Sequence, residues 1–130
     1  MDVQEPRDIE PAFKAAAKGR AEAILVTGNP ALNSQRQQVT DLAAKHRLPA
    51  SYGRPEFIDA GGLMYYGTNY VELSRRAATY VDKILKCAKP AEIPVEQPKK
   101  FELIVSLPAA KKIGVTIPQW TLMKADKVIK

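Results

Sequence analysis

Apolar positions along this chain switch between two periods. From Asp8 to Gly19, Ile9, Phe13 and Ala16 or Ala17 recur at helical spacing. Asp8 is placed to cap that helix, Pro11 falls in its first turn, where a missing N–H costs nothing, and Gly19 ends it. Ala23 to Val26 is then a short, nearly continuous apolar run bounded by Gly28 and Pro30. That pattern predicts a strand buried on both faces of a parallel sheet. A helix follows from about Ser34 to His46, capped by Asn33 or Ser34, with Val39, Leu42 and Ala43 as its apolar stripe. Leu48 to Gly53 reads as a second short strand.

Glu56 to Ala88 is the stretch that organises the rest. An acidic, turn-prone lead reaches Gly61-Gly62, and the run to Tyr66 supplies a third strand before Gly67. A capped amphipathic helix occupies about Tyr70 to Lys86, with Thr68 or Asn69 as its cap. Its wide apolar face comprises Tyr70, Leu73, Ala77, Tyr80, Val81, Ile84 and Leu85, and Glu72 is spaced to pair with Arg76. Lys89 to Pro98 holds three of the ten prolines and reads as an extended connector. Phe101 to Val105 is a further strand, Ser106 to Gly114 a short helix, and Trp120 to Val128 a last amphipathic helix. Strands alternating with helices predict an α/β fold, a parallel sheet with helices on both faces. Right-handed crossovers place the ends of the first two strands, Thr27 to Asn29 and Ser51 to Arg54, on one rim.

Composition narrows the reading. One hundred and thirty residues, 45% hydrophobic and 26% charged, suit one domain with one core. No apolar run is long enough to span a bilayer, and the acidic, polar N-terminus does not read as a secretory leader. The net charge of +6 is dispersed, with Lys99-Lys100 and Lys111-Lys112 its densest points, so nucleic acid is not an expected partner. One cysteine, Cys87, and one histidine, His46, offer no disulfide and no metal-ligand spacing. Neither a nucleophile elbow nor a phosphate-binding glycine loop is present, and Glu56 and Asp59 flank a turn as solvated carboxylates. No catalytic residues, no cofactor and no metal are therefore expected; the chain reads as a non-enzyme. What remains is a rim of polar and aromatic side chains: Thr27, Asn29, Ser51, Tyr52, Arg54, Tyr65, Tyr66 and Asn69. Such a set stacks on and hydrogen-bonds a small ligand. Tyr65 and Tyr66 point to opposite faces of a strand, so one of them belongs to the core.

The blocks DIEPAFKAAAKGRAEAILV, LAAKHRLPASYG, AGGLMYYG, RRAATYVDKILKCAKPAEIPVEQPKKFELIVSLPAAKKIGVTIP and LMKADKVIK, in this order and spacing, resemble the C-terminal part of ABC transporter substrate-binding proteins of the tryptophan and tyrosine type. The resemblance implies a type I periplasmic binding fold, two α/β lobes closing over a solute. Residues 1–60 correspond to the core of the second lobe and 61–67 to a hinge strand. Residues 68–88 form a helix that packs on the first lobe, and 89–130 return to the second. The first lobe's own sheet and an export signal are expected to be absent from this chain.

By the same resemblance the ligand-contacting residues are Thr27, Gly28 and Asn29, then Ser51, Tyr52 and Gly53, then Tyr66 to Asn69. Relatives that bind amino acids often carry an acidic residue near the position of Asn69 and a TDN-like triplet at 27–29. Asparagine and Gly28 stand there instead, so a carboxylate to pair with a ligand ammonium is missing. The implied partners are a small-molecule solute and a membrane permease, and the implied location is the periplasm. With the first lobe absent, the apolar face of the 70–86 helix and the hinge strand are expected to drive self-association. The competing expectation is a stand-alone dimeric α/β domain that senses a ligand or binds a partner.

Overall fold

The computed structural model describes residue 3 and residues 5–130. Its five strands are β1 (Ile24–Val26), β2 (Ala50–Tyr52), β3 (Met64–Thr68), β4 (Phe101–Ser106) and β5 (Lys127–Ile129), in the spatial order β1-β2-β3-β4-β5. The pairs β1–β2, β2–β3 and β4–β5 are parallel. Helices α1 (Ile9–Lys18), α2 (Pro30–Ser34), α3 (Arg36–Lys45), α4 (Glu56–Asp59), α5 (Tyr70–Leu85), α6 (Leu107–Ile113) and α7 (Gln119–Lys124) fill the connections. This is the expected α/β architecture. The chain divides into two compact units, one of residues 1–66 and 103–130, the other of residues 67–102.

In the first unit the main core joins Ile9, Phe13 and Ala16 of α1 to Val39 and Ala43 of α3, and to Val26, Ala50 and Tyr52 of the sheet. The helical spacing of those apolar residues is what produces this face. Smaller clusters gather Ala109, Ala110 and Ile113 of α6 around Leu63, and Ile58 and Ile104 around Tyr65. Gly114 ends α6 with φ at 77°, a left-handed conformation that glycine adopts without a Cβ penalty.

Several expectations are corrected. The first strand is not buried on both faces: Val26 is buried, but Leu25 is 72% exposed, because β1 is the edge of the sheet. Residues 30–34 form a separate one-turn helix, α2, capped by Asn29. The next helix starts at Arg36 with no side-chain cap. Asp8 stands at the N-cap of α1, yet its carboxylate accepts from the Glu5 N–H, closing the preceding turn of 3-10 helix. The acidic lead is the turn of helix α4, which sends Phe57 and Ile58 into the core. The last helix stops at Lys124, since Asp126 pins the chain to β4. Its N–H donates to the Leu103 carbonyl and its carboxylate accepts from the Leu103 N–H, at 2.9 and 2.8 Å. Residues 127–129, two of them β-branched, then pair as β5.

In the second unit α5 is capped by the Asn69 side chain, which accepts from the Glu72 N–H at 3.0 Å. Glu72 pairs with Arg75, and Arg76 reaches Glu96 instead of the expected Glu72. The Tyr80 hydroxyl donates to the Pro94 carbonyl at 3.1 Å. These contacts hold the 90–98 segment beside Leu73, Ala77, Tyr80 and Ile84. None of the sixteen residues of α5 is buried.

Candidate functional site

The rim is built just past the carboxyl ends of β1 and β2, beside Tyr66 in the middle of β3, all within the first unit. The register sets Val26 beside Tyr52 and Tyr52 beside Tyr65, with Leu25, Ser51 and Met64 forming the alternate row. Carried one residue further, it sets Thr27, Gly53 and Tyr66 in one row on the face of Ser51. The Gly53 N–H donates to the Val26 carbonyl at 2.9 Å. A Cβ on Gly53 would lie 3.4 Å from the Gly28 nitrogen and 3.8 Å from the Thr27 carbonyl carbon. The two loops therefore touch through backbone, and the middle of the row carries no side chain. Thr27 and Gly28 are exposed and Tyr66 is 59% exposed.

The remaining expected residues serve other ends. Tyr52 is 1% exposed and stacks on Phe57 with ring centroids 4.8 Å apart. Burial pushes its phenol pKa far above the usual value. Its side chain belongs to the core, beneath the rim. Tyr65 is fully buried, so the alternation of the two tyrosines resolves with Tyr66 outward. Ser51 lies inside β2, half-buried, and only Gly53 of its triplet occupies the loop. The Asn29 side chain accepts from the Ala31 N–H at 2.8 Å and donates to the Val3 carbonyl at 3.0 Å, tying the N-terminal segment to α2. Asn69 lies in the second unit as the cap of α5, its N–H donating to the Lys100 carbonyl. His46 ends α3 with its ring stacked 6.3 Å from Phe13.

Beside the rim the structure shows a feature that sequence reasoning missed. An apolar cavity of about 490 Å³ runs between α1 and the β1 edge, lined by Ala12, Phe13, Ala16, Leu25 and, at its polar end, Thr27 and Asn29. Its signal in the sequence is the run of small residues in α1, Ala12 and Ala15 to Ala17, which cannot fill the space over the strand. Next to the Gly53 loop, Arg54 and Glu56 pair at 3.1 Å. Glu56 is held below the usual carboxylate range, first by its own backbone N–H and also by Arg54, against the opposing effect of burial. Among the described residues no cluster of His, Cys, Asp or Glu is suited to hold a metal ion, and no helix is long and apolar enough to cross a membrane.

A family model described as "ABC transporter substrate binding protein" matches residues 1–129. No curated protein sequence matches the chain. Among solved structures, a conserved domain protein from Vibrio cholerae O1 biovar El Tor is similar with a TM-score of 0.86 at 22% identity, over 97% of this chain and 42% of its own. An ABC domain from Streptococcus pneumoniae, solved in complex with L-Trp, gives a TM-score of 0.87 at 22% identity, over 99% and 43%. A ligand-free, open substrate-binding protein with adhesive properties from Clostridium difficile gives 0.71 at 18%, over 98% and 42%. The chain spans less than half the length of each of these proteins.

Proposed function

The chain belongs to the ABC transporter substrate-binding protein family, and on that premise we propose that it is the C-terminal solute-binding lobe of an ABC importer. It binds a small polar or aromatic molecule in an interlobe cleft, without chemistry, and presents it to a membrane permease. The observation that carries this reading is the row Thr27–Gly53–Tyr66. An exposed hydroxyl and an exposed phenol flank a position with no side chain, just past the carboxyl ends of the parallel strands β1 and β2 and beside the middle of β3. Open α/β sheets bind ligands at such ends. A planar ring seated over Gly53 would stack on Tyr66 and hydrogen-bond Thr27. The L-Trp held by the Streptococcus protein gives the class of ligand to test first.

On this reading the first unit is most of the second lobe, residues 61–67 are the hinge strand, and α5 belongs with a first lobe. Thr27, Gly28, Ser51 and Tyr66 face the solute or shape its seat. Tyr52 positions the β2 end from below, and Asn29 holds the loop that follows β1, while Asn69 caps α5 in the second unit. The location is the outer side of the membrane, as is typical of the family, and the partners are the solute, the permease and a second copy of the chain.

Calorimetric titration with tryptophan, tyrosine and aromatic carboxylic acids tests the proposal. At least one is expected to bind, with Tyr66→Ala weakening it by about tenfold or more, the loss of one stacking contact. Binding that Tyr66→Ala, Thr27→Ala and Gly53→Leu all leave unchanged would remove the row as the site.

A further inference from the structure

The charges beside the Thr27–Gly53–Tyr66 row narrow the class of solute, an inference that rests on the proposed solute-binding function. Arg54 directly follows Gly53, the position with no side chain, and lies with the row in the first unit. Its guanidinium stays by the loop after β2, where one terminal nitrogen pairs with the Glu56 carboxylate at 3.1 Å. A second cation comes from the start of α3. Arg36 donates to the Asn33 carbonyl at 3.4 Å, and from there its charge favours the ionised form of Glu56.

This arrangement is unequal toward the two charged groups that a small aromatic solute can carry. The row itself holds no carboxylate, and Glu56 is the acidic residue nearest to it along the chain. That carboxylate is already engaged by its own backbone N–H and by Arg54. A solute ammonium over Gly53 would face two guanidinium groups and one carboxylate that those groups already hold. A solute carboxylate meets the reverse. Arginine presents its N–H donors in a planar fork that matches a carboxylate by two parallel bonds. The side chains of the Arg54–Glu56 pair are 38% and 51% exposed, and pairs of that kind contribute little, so the guanidinium turns to a ligand at small cost.

We infer that the solute is an aromatic carboxylate without an ammonium group, and that Arg54 is the residue that selects it. Arg54 takes the carboxylate while the ring lies over Gly53 against Tyr66, and Glu56 is the internal competitor that the solute displaces.

Calorimetric titration of the full chain with four probes that share one ring tests this: indolepropanoate, its neutral amide, tryptophan and tryptamine. Indolepropanoate is expected to bind tightest, by about tenfold or more over the amide and over tryptophan, with tryptamine weakest. Arg54→Gln is expected to remove the preference for the acid over the amide and to leave the amide unchanged. Glu56→Gln is expected to strengthen indolepropanoate by about twofold or more, because the competitor is gone. Both variants break the same ion pair, so a merely structural role for that pair would move them together, and that result would overturn the inference. Tryptophan or tryptamine binding as tightly as indolepropanoate would overturn it too, as would a preference for the acid that survives Arg54→Gln. A probe that binds through Tyr66 yet ignores Arg54→Gln removes the charge selection and leaves the solute-binding reading standing. A panel that does not bind at all removes both.

Discussion

Replacing Gly62 by alanine tests how tightly the rim is seated on the core. The added Cβ would lie 2.7 Å from the Phe57 carbonyl oxygen and 2.7 Å from Cε2 of Tyr52, about 0.7 Å inside the 3.4 Å limit of ordinary contact. Neither neighbour can step aside freely. The Phe57 carbonyl already accepts from the Gly62 N–H at 2.8 Å, which fixes the two backbones together. The Tyr52 ring is 1% exposed and clamped against Phe57, with 12° between the ring planes. Overpacking of this kind costs about 1–3 kcal/mol, and two simultaneous contacts with rigid groups argue for about 2–3. Urea unfolding at constant m-value measures it. In a Tyr52→Leu background, where the ring contact is gone, the same substitution is expected to cost about 1 kcal/mol less. A Gly62→Ala variant within about 0.5 kcal/mol of wild type, or a strictly additive cycle, would refute the argument that the ring is immobile.

Asn69→Ala removes the cap of α5 and is expected to cost about 1 kcal/mol of local helix stability, read as faster amide exchange in the first turn. Leu25→Thr, at the exposed edge of the sheet, is expected to change stability by less than about 0.5 kcal/mol in thermal unfolding, where a doubly buried strand residue would cost several times more. Gly53→Ala meets only contacts of 3.4 Å and beyond, so it is expected to unfold like wild type while weakening any ligand that sits over the row, by titration. The depressed pKa of Glu56 gives stability that is present above the ordinary carboxylate range and lost as pH falls through its lowered value. Half of that side chain is exposed, so Glu56→Gln is expected to show a small deficit near neutral pH that vanishes in acid.

Much of the fold was legible because two periods, 3.6 and 2, dominate the chain. Ile9, Phe13 and Ala16, and the Tyr65–Tyr66 pair, fall as their spacing requires. The misreadings share one cause, that long-range partners decide short segments. Val128 continues a helical stripe by spacing, yet Asp126 meets Leu103, over twenty residues away, and ends the helix. Leu25 looks like core in a continuous apolar run, but an edge position depends on which strands are neighbours, which periodicity does not encode. For the candidate site, residue type was informative and role was not. Tyr52 and Asn29 have the chemistry of ligand contacts, and packing and capping claim them first. Gly53 matters through what it leaves empty, a quality that shows only when the strands stand side by side.

The paired tyrosines of β3 bind the rim and the core to a single count of residues. Tyr65 is sealed inside and Tyr66 faces out because the strand alternates, and the register with Tyr52 fixes the phase. One residue inserted between Gly62 and Tyr65 would exchange them, carrying a phenol out of the core as it withdrew another from the rim. Length variation is therefore closed to this segment, whereas substitution at position 66 alone is open. A protein built this way can change what it recognises by swapping one outward side chain, and it can do so without renegotiating its interior.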